Sequence, residues 1–390
     1  MKILFVTPDF YPNSTGFANA ALNLINAIKI HSSSTNELYV FTDKPLGENR
    51  ELDNINVIRY KNSKFNNRFT YIFNQRKKYD FLKNYIDGNN IDIIFFETNT
   101  FPFLQNWILK RYNEKVFVRI HSTADTEVVV FGKHKSFFER LQIRSINSFM
   151  LNVNNIVSTS SFYLDFVKKY YLQDNVYDIW DNKSYSIISN TAGDEISQAN
   201  CVMKNTFITM GKMSKNGLTQ KGITDLLRAV YYLKKKQSLP DDFKLIIIGD
   251  GEMRGYVKEY VEKLKISSYI QLIQRASHEE VYRYISDSKA VVLMSRYEGQ
   301  SMFITESMAI GKPLIITSNN GMQDMVDDGI NGLLVKTGDY NEAAEAIKTF
   351  IEMDYEKLEE MGNNSKKKYD KKFSARSVCE QFLDMINMVC

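Results

Sequence analysis

Short apolar runs, rich in β-branched and aromatic residues, punctuate the chain in two sets. The first set is KILFVT (2–7), LYVFT (38–42), INVIR (55–59), IDIIFF (91–96), VFVRI (116–120), NIVST (155–159) and YSIIS (185–189). The second is TFITM (206–210), FKLIIIG (243–249), YIQLI (269–273), AVVLM (290–294), PLIIT (313–317) and GLLV (332–335). Most are separated by segments of helical length. Near-continuous apolar strands alternating with helices predict parallel sheets covered on both faces. The polar stretch NTAGDEISQAN (190–200), without periodicity, falls between the sets and reads as a hinge. The pattern therefore predicts an α/β protein of two doubly wound, Rossmann-like domains facing each other across a cleft, spanning residues 1–195 and 196–373. The last helix, within 374–390, places Val378, Phe382, Met385 and Met388 on one face and is expected to join the first domain. Ligands of open α/β sheets sit outside the carboxyl ends of the strands, so chemistry is sought in the loops that follow them.

Composition narrows the class. A chain of 390 residues is too long for one ordinary domain, and 44% apolar with 25% charged residues is the balance of a globular protein. The net charge of +4 gives no global field for a polynucleotide, and nucleic acid is not an expected partner. Three cysteines, Cys201, Cys379 and Cys390, form no CxxC and suit a reducing cytoplasm rather than a disulfide framework. The opening MKILFVTPDFY has too short an apolar run for a signal peptide and reads as a first strand. No run approaches the ~18 apolar residues that span a bilayer, so membrane contact is expected to be peripheral. With four histidines, no HxxxH and no DxD, the sequence predicts no metal site.

The segment YEGQSMFITESMAIGKP (297–313) holds the most informative chemistry. Strand AVVLM runs into the loop RYEG. An apolar helix then begins near Ser301 and stops at Gly311, with Pro313 just beyond. The helix N-terminus faces the strand-end crevice, where free N–H groups and the positive end of the dipole favour a phosphate. Glu298 stands outside that anion site, and Glu306 lies inside the helix, ~7.5 Å along its axis from the start. A nucleotide diphosphate sugar has those dimensions, with one carboxylate for hydroxyls of the sugar and the other for those of the ribose. Gln300, Ser301, Met302 and Phe303 would present chiefly backbone to it.

The stretch from Glu298 through Gly311-Lys312-Pro313 to DMVDDGINGLLVKTGD (324–339) resembles the donor-binding signature of family 4 retaining glycosyltransferases, enzymes of the GT-B fold. The resemblance implies that Glu298 contacts the donor sugar and Glu306 the ribose; Ser301 stands where many members have glycine. MGKMSKNGLTQKGITDLLRAV (210–230) is similar to the family's strand, cationic loop and helix, implying that Lys221, and Lys212 in place of the usual arginine, clasp the diphosphate. Lys215 is an alternative to Lys212. IIIGDGEMR (246–254) resembles the family's strand-end glycine turn at Gly249, and YIQLIQRASHEEV (269–281) the segment that cups the base, with Arg275 available to stack. In the first domain, PDFYPNSTGFANAALNLINAI (8–28) is similar to the family's glycine loop with Gly16 near the helix start, and it lacks the GxGxxG of a dinucleotide fold. His121 follows directly on strand VFVRI, where the family keeps a histidine near the donor sugar.

The resemblance implies a metal-independent hexosyltransferase in which His121, Glu298 and Lys221 serve the transfer. A nucleotide diphosphate sugar, UDP- or GDP-linked, would be substrate, and no cofactor is called for. The acceptor would be a glycan, a glycolipid or another surface polymer, in bacterial polysaccharide or cell-envelope synthesis. Retention would follow from front-face attack, with the departing phosphate oxygen taking the acceptor's proton. Residues 61–85 carry seven Lys or Arg against one Asp, interleaved with seven Phe or Tyr, a composition suited to an anionic membrane surface. A second such segment is 131–151. A sugar-nucleotide epimerase or phosphorylase of the same architecture, and a catalytically silent sugar-nucleotide-binding scaffold, are the competing readings.

Overall fold

The structure is a computed structural model that describes residues 1–11, 15–32, 36–42, 55–60, 70–98, 101–121, 137–172, 182–194, 205–318 and 320–389. The chain divides into two compact units: Met1–Gly193 with Ala375–Cys390, and Asp194–Ser374. Most of the polar stretch 190–200 lies outside the described residues.

Among the described residues the first unit holds seven strands: β1 (Lys2–Thr7), β2 (Glu37–Thr42), β3 (Ile55–Arg59), β4 (Ile93–Phe96), β5 (Val116–Ile120), β6 (Asn155–Ser158) and β7 (Ser184–Ile187). All pair in parallel, in the order β3-β2-β1-β4-β5-β6-β7. Between them run α1 (Gly16–His31), α2 (Thr70–Asn89), α3 (Pro102–Tyr112), α4 (Phe137–Asn152) and α5 (Ser161–Leu172). The order reverses between β1 and β4, so the loops leaving those two strands flank the point where doubly wound sheets bind ligands.

The second unit repeats the plan with, among the described residues, six parallel strands: β8 (Thr206–Met210), β9 (Lys244–Ile248), β10 (Ile270–Ile273), β11 (Ala290–Leu293), β12 (Leu314–Thr317) and β13 (Gly332–Val335). Their order is β10-β9-β8-β11-β12-β13, reversing between β8 and β11. Its helices are α6 (Lys215–Lys221), α7 (Ile223–Lys235), α8 (Arg254–Lys263), α9 (His278–Ser286), α10 (Met302–Ile310), α11 (Tyr340–Glu352) and α12 (Tyr355–Lys372). Phe207, Leu245, Ile247, Val292 and Ile315 pack there with Leu226, Val230 and Ile347 in one apolar core.

The last helix, α13 (Ala375–Val389), belongs to the first unit. Its Phe382 ring lies 6.0 Å from that of Phe5 and 5.6 Å from that of Phe95, and Val378, Met385 and Ile386 are buried with it. Met388, expected on the same face, is exposed, and Ile386 takes its place. At about 100° per residue, position 388 falls well off the stripe centred on 378, 382 and 385.

Candidate active site

In the C-terminal unit, the chain leaving β8 and the chain leaving β11 flank the switch point. The first contributes Lys221, the last residue of α6. Gly222 then takes φ +60° and starts α7, and a Cβ on it would lie 2.1 Å from the carbonyl oxygen of Met294. Only glycine allows both the left-handed turn and that approach, which seats the end of α6 against the loop leaving β11. The result is direct contact: Lys221 Nζ donates to Glu298 Oε2 at 2.6 Å, and Ser295 Oγ donates to the same oxygen at 3.3 Å. Both partners are mostly buried, with side chains 19% and 15% exposed.

The loop that carries Glu298 is pinned at many points. Arg296 N–H donates to the Gln220 carbonyl at 2.7 Å, Gln220 Nε2 to the Tyr297 carbonyl at 3.3 Å, and Gly321 N–H to the Glu298 carbonyl at 2.8 Å. The Ser295 carbonyl accepts from Thr317 Oγ1 and from Asn320 Nδ2. Arg296 also pairs with the buried Asp225 of α7. So dense a set of bonds holds the carboxylate before any ligand arrives, which lowers the ordering cost of binding.

The helix α10 is buried along its whole length. It opens at Ser301, whose side chain makes no capping bond, and it ends at Gly311 with φ +83°. The first-turn N–H groups lack the side-chain cap most helices carry, which suits them to an anion. Glu306 is 4% exposed. Burial pushes its carboxyl up to about 8. A carboxylate so desolvated is a poor structural choice and a good one for meeting hydroxyl donors. Lys312, in the Gly-Lys-Pro that ends the segment, is structural: its Nζ donates to the Ser286 and Ser288 carbonyls at 2.5 and 2.9 Å.

Other sequence-predicted residues stand apart from this pair. Lys212 is exposed and lies near Glu252, whose carboxyl is held low by the Lys215 N–H at 3.0 Å and further by the Lys212 charge. Arg275 is 85% exposed and gives its Nε to Asp250 at 2.9 Å; the same carboxylate accepts from Gln274 Nε2 and the Gly251 N–H. Gly249 packs on the backbone, since a Cβ there would lie 2.1 Å from the Gly211 carbonyl oxygen. Gln300, Ser301, Met302 and Phe303 form the buried entrance to α10.

In the N-terminal unit, Gly16 opens α1 behind Thr15, whose hydroxyl accepts from Ala18 N–H at 3.1 Å and donates to Asp9 Oδ2 at 2.7 Å. The neighbouring Phe17 ring meets His121 edge-on at 4.9 Å, which brings the glycine loop and the histidine together. His121 Nε2 lies 3.0 Å from Glu97 Oε2, and Arg119 Nη1 lies 3.3 Å from the same oxygen. Glu97 and Arg119 are wholly buried. Burial lowers the His121 pKa and so favours the neutral ring, opposed by the Glu97 hydrogen bond. No sequence motif announces Glu97 or Arg119. Glu97 could have been found by the rule that singled out His121, since it is the first residue after β4.

Residues 198–368 match the family Glycosyl transferases group 1. An uncharacterized glycosyltransferase of Methanocaldococcus jannaschii is 34% identical over 155 residues, 40% of this chain and 41% of the relative. The chain spans about two-fifths of the length of the curated relatives it matches first. Likeness to solved structures runs along the whole chain. A sucrose-phosphate synthase from Thermosynechococcus elongatus superposes with TM-score 0.77 at 15% identity, covering 100% of this chain and 98% of that one. Anabaena HepE in complex with UDP gives 0.70 at 17% identity, covering 100% of each. Two parallel Rossmann-like domains in this arrangement of the chain are a fold of the GT-B type. Among the described residues no three His, Cys, Asp or Glu side chains gather as a metal centre would, and no helix is long and apolar enough to cross a membrane.

Proposed function

We propose that the protein is a glycosyltransferase of family 4 type. It transfers a hexose or N-acetylhexosamine from a nucleotide diphosphate sugar to a glycan, glycolipid or surface-polymer acceptor, with retention. The observation that carries this reading is the Lys221–Glu298 pair at the β8/β11 switch point, joined by the uncapped start of α10 and the buried Glu306 one and a half turns inside it. Lys221 and the α10 N–H groups meet the diphosphate, Glu306 the ribose hydroxyls, and Glu298 the sugar. Lys212 joins Lys221 on the diphosphate, Arg275 stacks on the base, Gly16 faces the diphosphate and acceptor, and His121 lies near the donor sugar. In the step itself the acceptor hydroxyl attacks the anomeric carbon from the face the diphosphate leaves. A phosphate oxygen takes the hydroxyl proton, and nucleoside diphosphate departs. The leaving charge is met by Lys221 and backbone dipoles, and no side chain acts as base. UDP is the favoured carrier, supported by the UDP held in the similarly folded Anabaena structure. A panel of UDP- and GDP-sugars, each assayed for slow hydrolysis and nucleoside diphosphate release, tests the reading. We expect one UDP-sugar to be turned over, and no release from any of them would leave the silent scaffold as the better account.

The basic aromatic segment bears on the acceptor. Its residues 61–69, and 131–136 of the second segment, lie outside the described residues. Within α2, Lys78 is buried and lies over the Tyr60 and Phe101 rings, and Arg76 pairs with Asp80, so part of the charge is structural. Ile72, Phe73 and Phe81 are 39%, 58% and 42% exposed, with Lys77 over the Phe73 ring, and Phe137 at the start of α4 is 76% exposed. These residues would touch an anionic leaflet on the inner face of the cytoplasmic membrane, where a lipid-linked acceptor resides. Phe73→Ser with Lys77→Glu should lower cosedimentation with anionic vesicles at low salt by several-fold. Equal sedimentation of variant and wild type would remove α2 from the contact.

A further inference from the structure

The sheet of the N-terminal unit has its own switch point, between β1 and β4, and a charged group no motif announced sits there. Glu97 is the first residue beyond β4. The register Phe96↔Val118 sets it beside Arg119 one step further along β5. Arg119 and His121 are two apart, hence on one face of the strand and its exit. Three side chains from two neighbouring strands thus meet on a single oxygen, Glu97 Oε2, with Arg119 Nη1 at 3.3 Å and His121 Nε2 at 3.0 Å.

We propose that Glu97, anchored by Arg119, is a positioning residue that fixes the proton of His121 on Nε2, so that Nδ1 presents a lone pair to a ligand hydroxyl.

The ionic state of each group follows from its neighbours. Burial alone would raise the Glu97 carboxyl, but the Arg119 charge and the His121 hydrogen bond bring it below its ordinary value, so it is ionised. An ionised carboxylate only accepts, so the Nε2 facing it carries hydrogen. His121 is neutral, and a neutral imidazole protonated on Nε2 has a bare Nδ1. Such a nitrogen accepts a hydrogen bond, which selects a hydroxyl and disfavours a phosphate or carbonyl oxygen. Arg119 does two jobs. Its Nη2 donates to the Ile188 and Ser189 carbonyls and to Asn190 Oδ1 at 2.8–3.0 Å, which fixes the guanidinium independently of Glu97. A pair needed only to tie β4 to that segment would have no use for a histidine as third partner. The other carboxylate oxygen, Oε1, is buried and has no hydrogen-bond partner among the described residues, so the orientation of Glu97 rests on Arg119 and His121. Phe17 closes one side of the imidazole and limits its rotation.

The hydroxyl is that of the proposed donor sugar, so this inference rests on the glycosyltransferase reading, and its test separates the two. Nitrogen NMR of protein with labelled histidine distinguishes the two neutral tautomers and the cation. The four histidines are assigned with His121→Asn as the reference that lacks the signal. In the wild type near pH 7 we expect the His121 spectrum of a neutral ring with hydrogen on Nε2. In Glu97→Gln, whose amide can donate, that preference should be lost. With it, kcat/KM for the donor should fall roughly tenfold or more, the effect of a charge-assisted hydrogen bond, at little-changed UDP affinity. Glu97→Asp should restore part of both. A wild-type ring protonated on Nδ1 or cationic overturns the proposal, and so does a Glu97→Gln protein that keeps the wild-type tautomer. The wild-type spectrum decides even if the variant does not fold. A protein that turns over no nucleotide sugar overturns the functional reading alone, since the tautomer is read without turnover.

Discussion

Glu298→Ala is expected to lower kcat for transfer by about 100-fold or more while changing UDP affinity by less than about threefold, and Lys221→Ala to lower UDP affinity by about tenfold or more together with kcat. The difference follows from where each group acts. Glu298 is held in place by Lys221 and Ser295 on a loop bonded to α6, to the turn after β12 and to α7. In the proposed complex it touches the ring whose anomeric carbon reacts, so its hydrogen bond orients the sugar in the transition state. Removing it leaves Lys221 free to meet phosphate, and nucleotide binding survives. Removing Lys221 takes away a charge-assisted bond worth roughly 2 kcal/mol. It also leaves an unneutralised Glu298 carboxylate facing the diphosphate, so affinity for UDP should drop tenfold or more. Because the two side chains are in contact, the double variant should fall short of the product of the single effects. Calorimetric titration of UDP with steady-state kinetics on all three proteins decides the matter. Loss of UDP affinity in Glu298→Ala at unchanged kcat would exchange the two roles.

The chain shows plainly in one dimension what depends on local pattern. Among the described residues every strand coincides with an apolar run read from the sequence, and β4, β5, β6, β11 and β12, buried at every position, tolerate almost nothing else. Helix α10 begins at Met302 and ends at Gly311 as the apolar run and the Gly-Lys-Pro imply. The Lys221–Glu298 contact joins residues 77 apart, and the sequence implies it only as two roles on one ligand, since each sits in its own strand-loop-helix motif. The Arg119–Glu97 pair was invisible for a related reason. Within VFVRI and IDIIFFET the charged residue reads as the polar end of a strand, and only the β4/β5 register puts one against the other. Arg275 is expected to stack on the base, and no local signal reveals that Asp250, 25 residues earlier, accepts from its Nε. Met388 shows the limit of periodicity over three turns, where ten residues of accumulated rotation carry a side chain off the buried stripe.

Glu306→Gln should make the protein more stable at pH 8.5 and remove a pH dependence that the wild type carries. The carboxyl of Glu306 is pushed up to about 8 by burial, against roughly 4.3 in an unfolded chain. Between those values the folded protein holds a proton that the unfolded chain has released. Stability is therefore greatest below the unfolded value and declines as pH rises toward 8, with a slope approaching ~1.4 kcal/mol per pH unit. Above about 8 the buried carboxylate is charged, and a contribution on the order of several kcal/mol has been lost. Glutamine has the same shape and does not ionise, so the difference between variant and wild type should be small near pH 5 and largest at pH 8.5. Urea denaturation at the two pH values measures it, and a difference independent of pH would mean that Glu306 is not a desolvated acid. The same substitution should weaken UDP binding at pH 8.5, where the amide replaces an ionised carboxylate that accepts from both ribose hydroxyls. A residue whose replacement stabilises the fold and damages binding is one the fold does not need, and its retention in the middle of a fully buried helix then has ligand recognition as its cause.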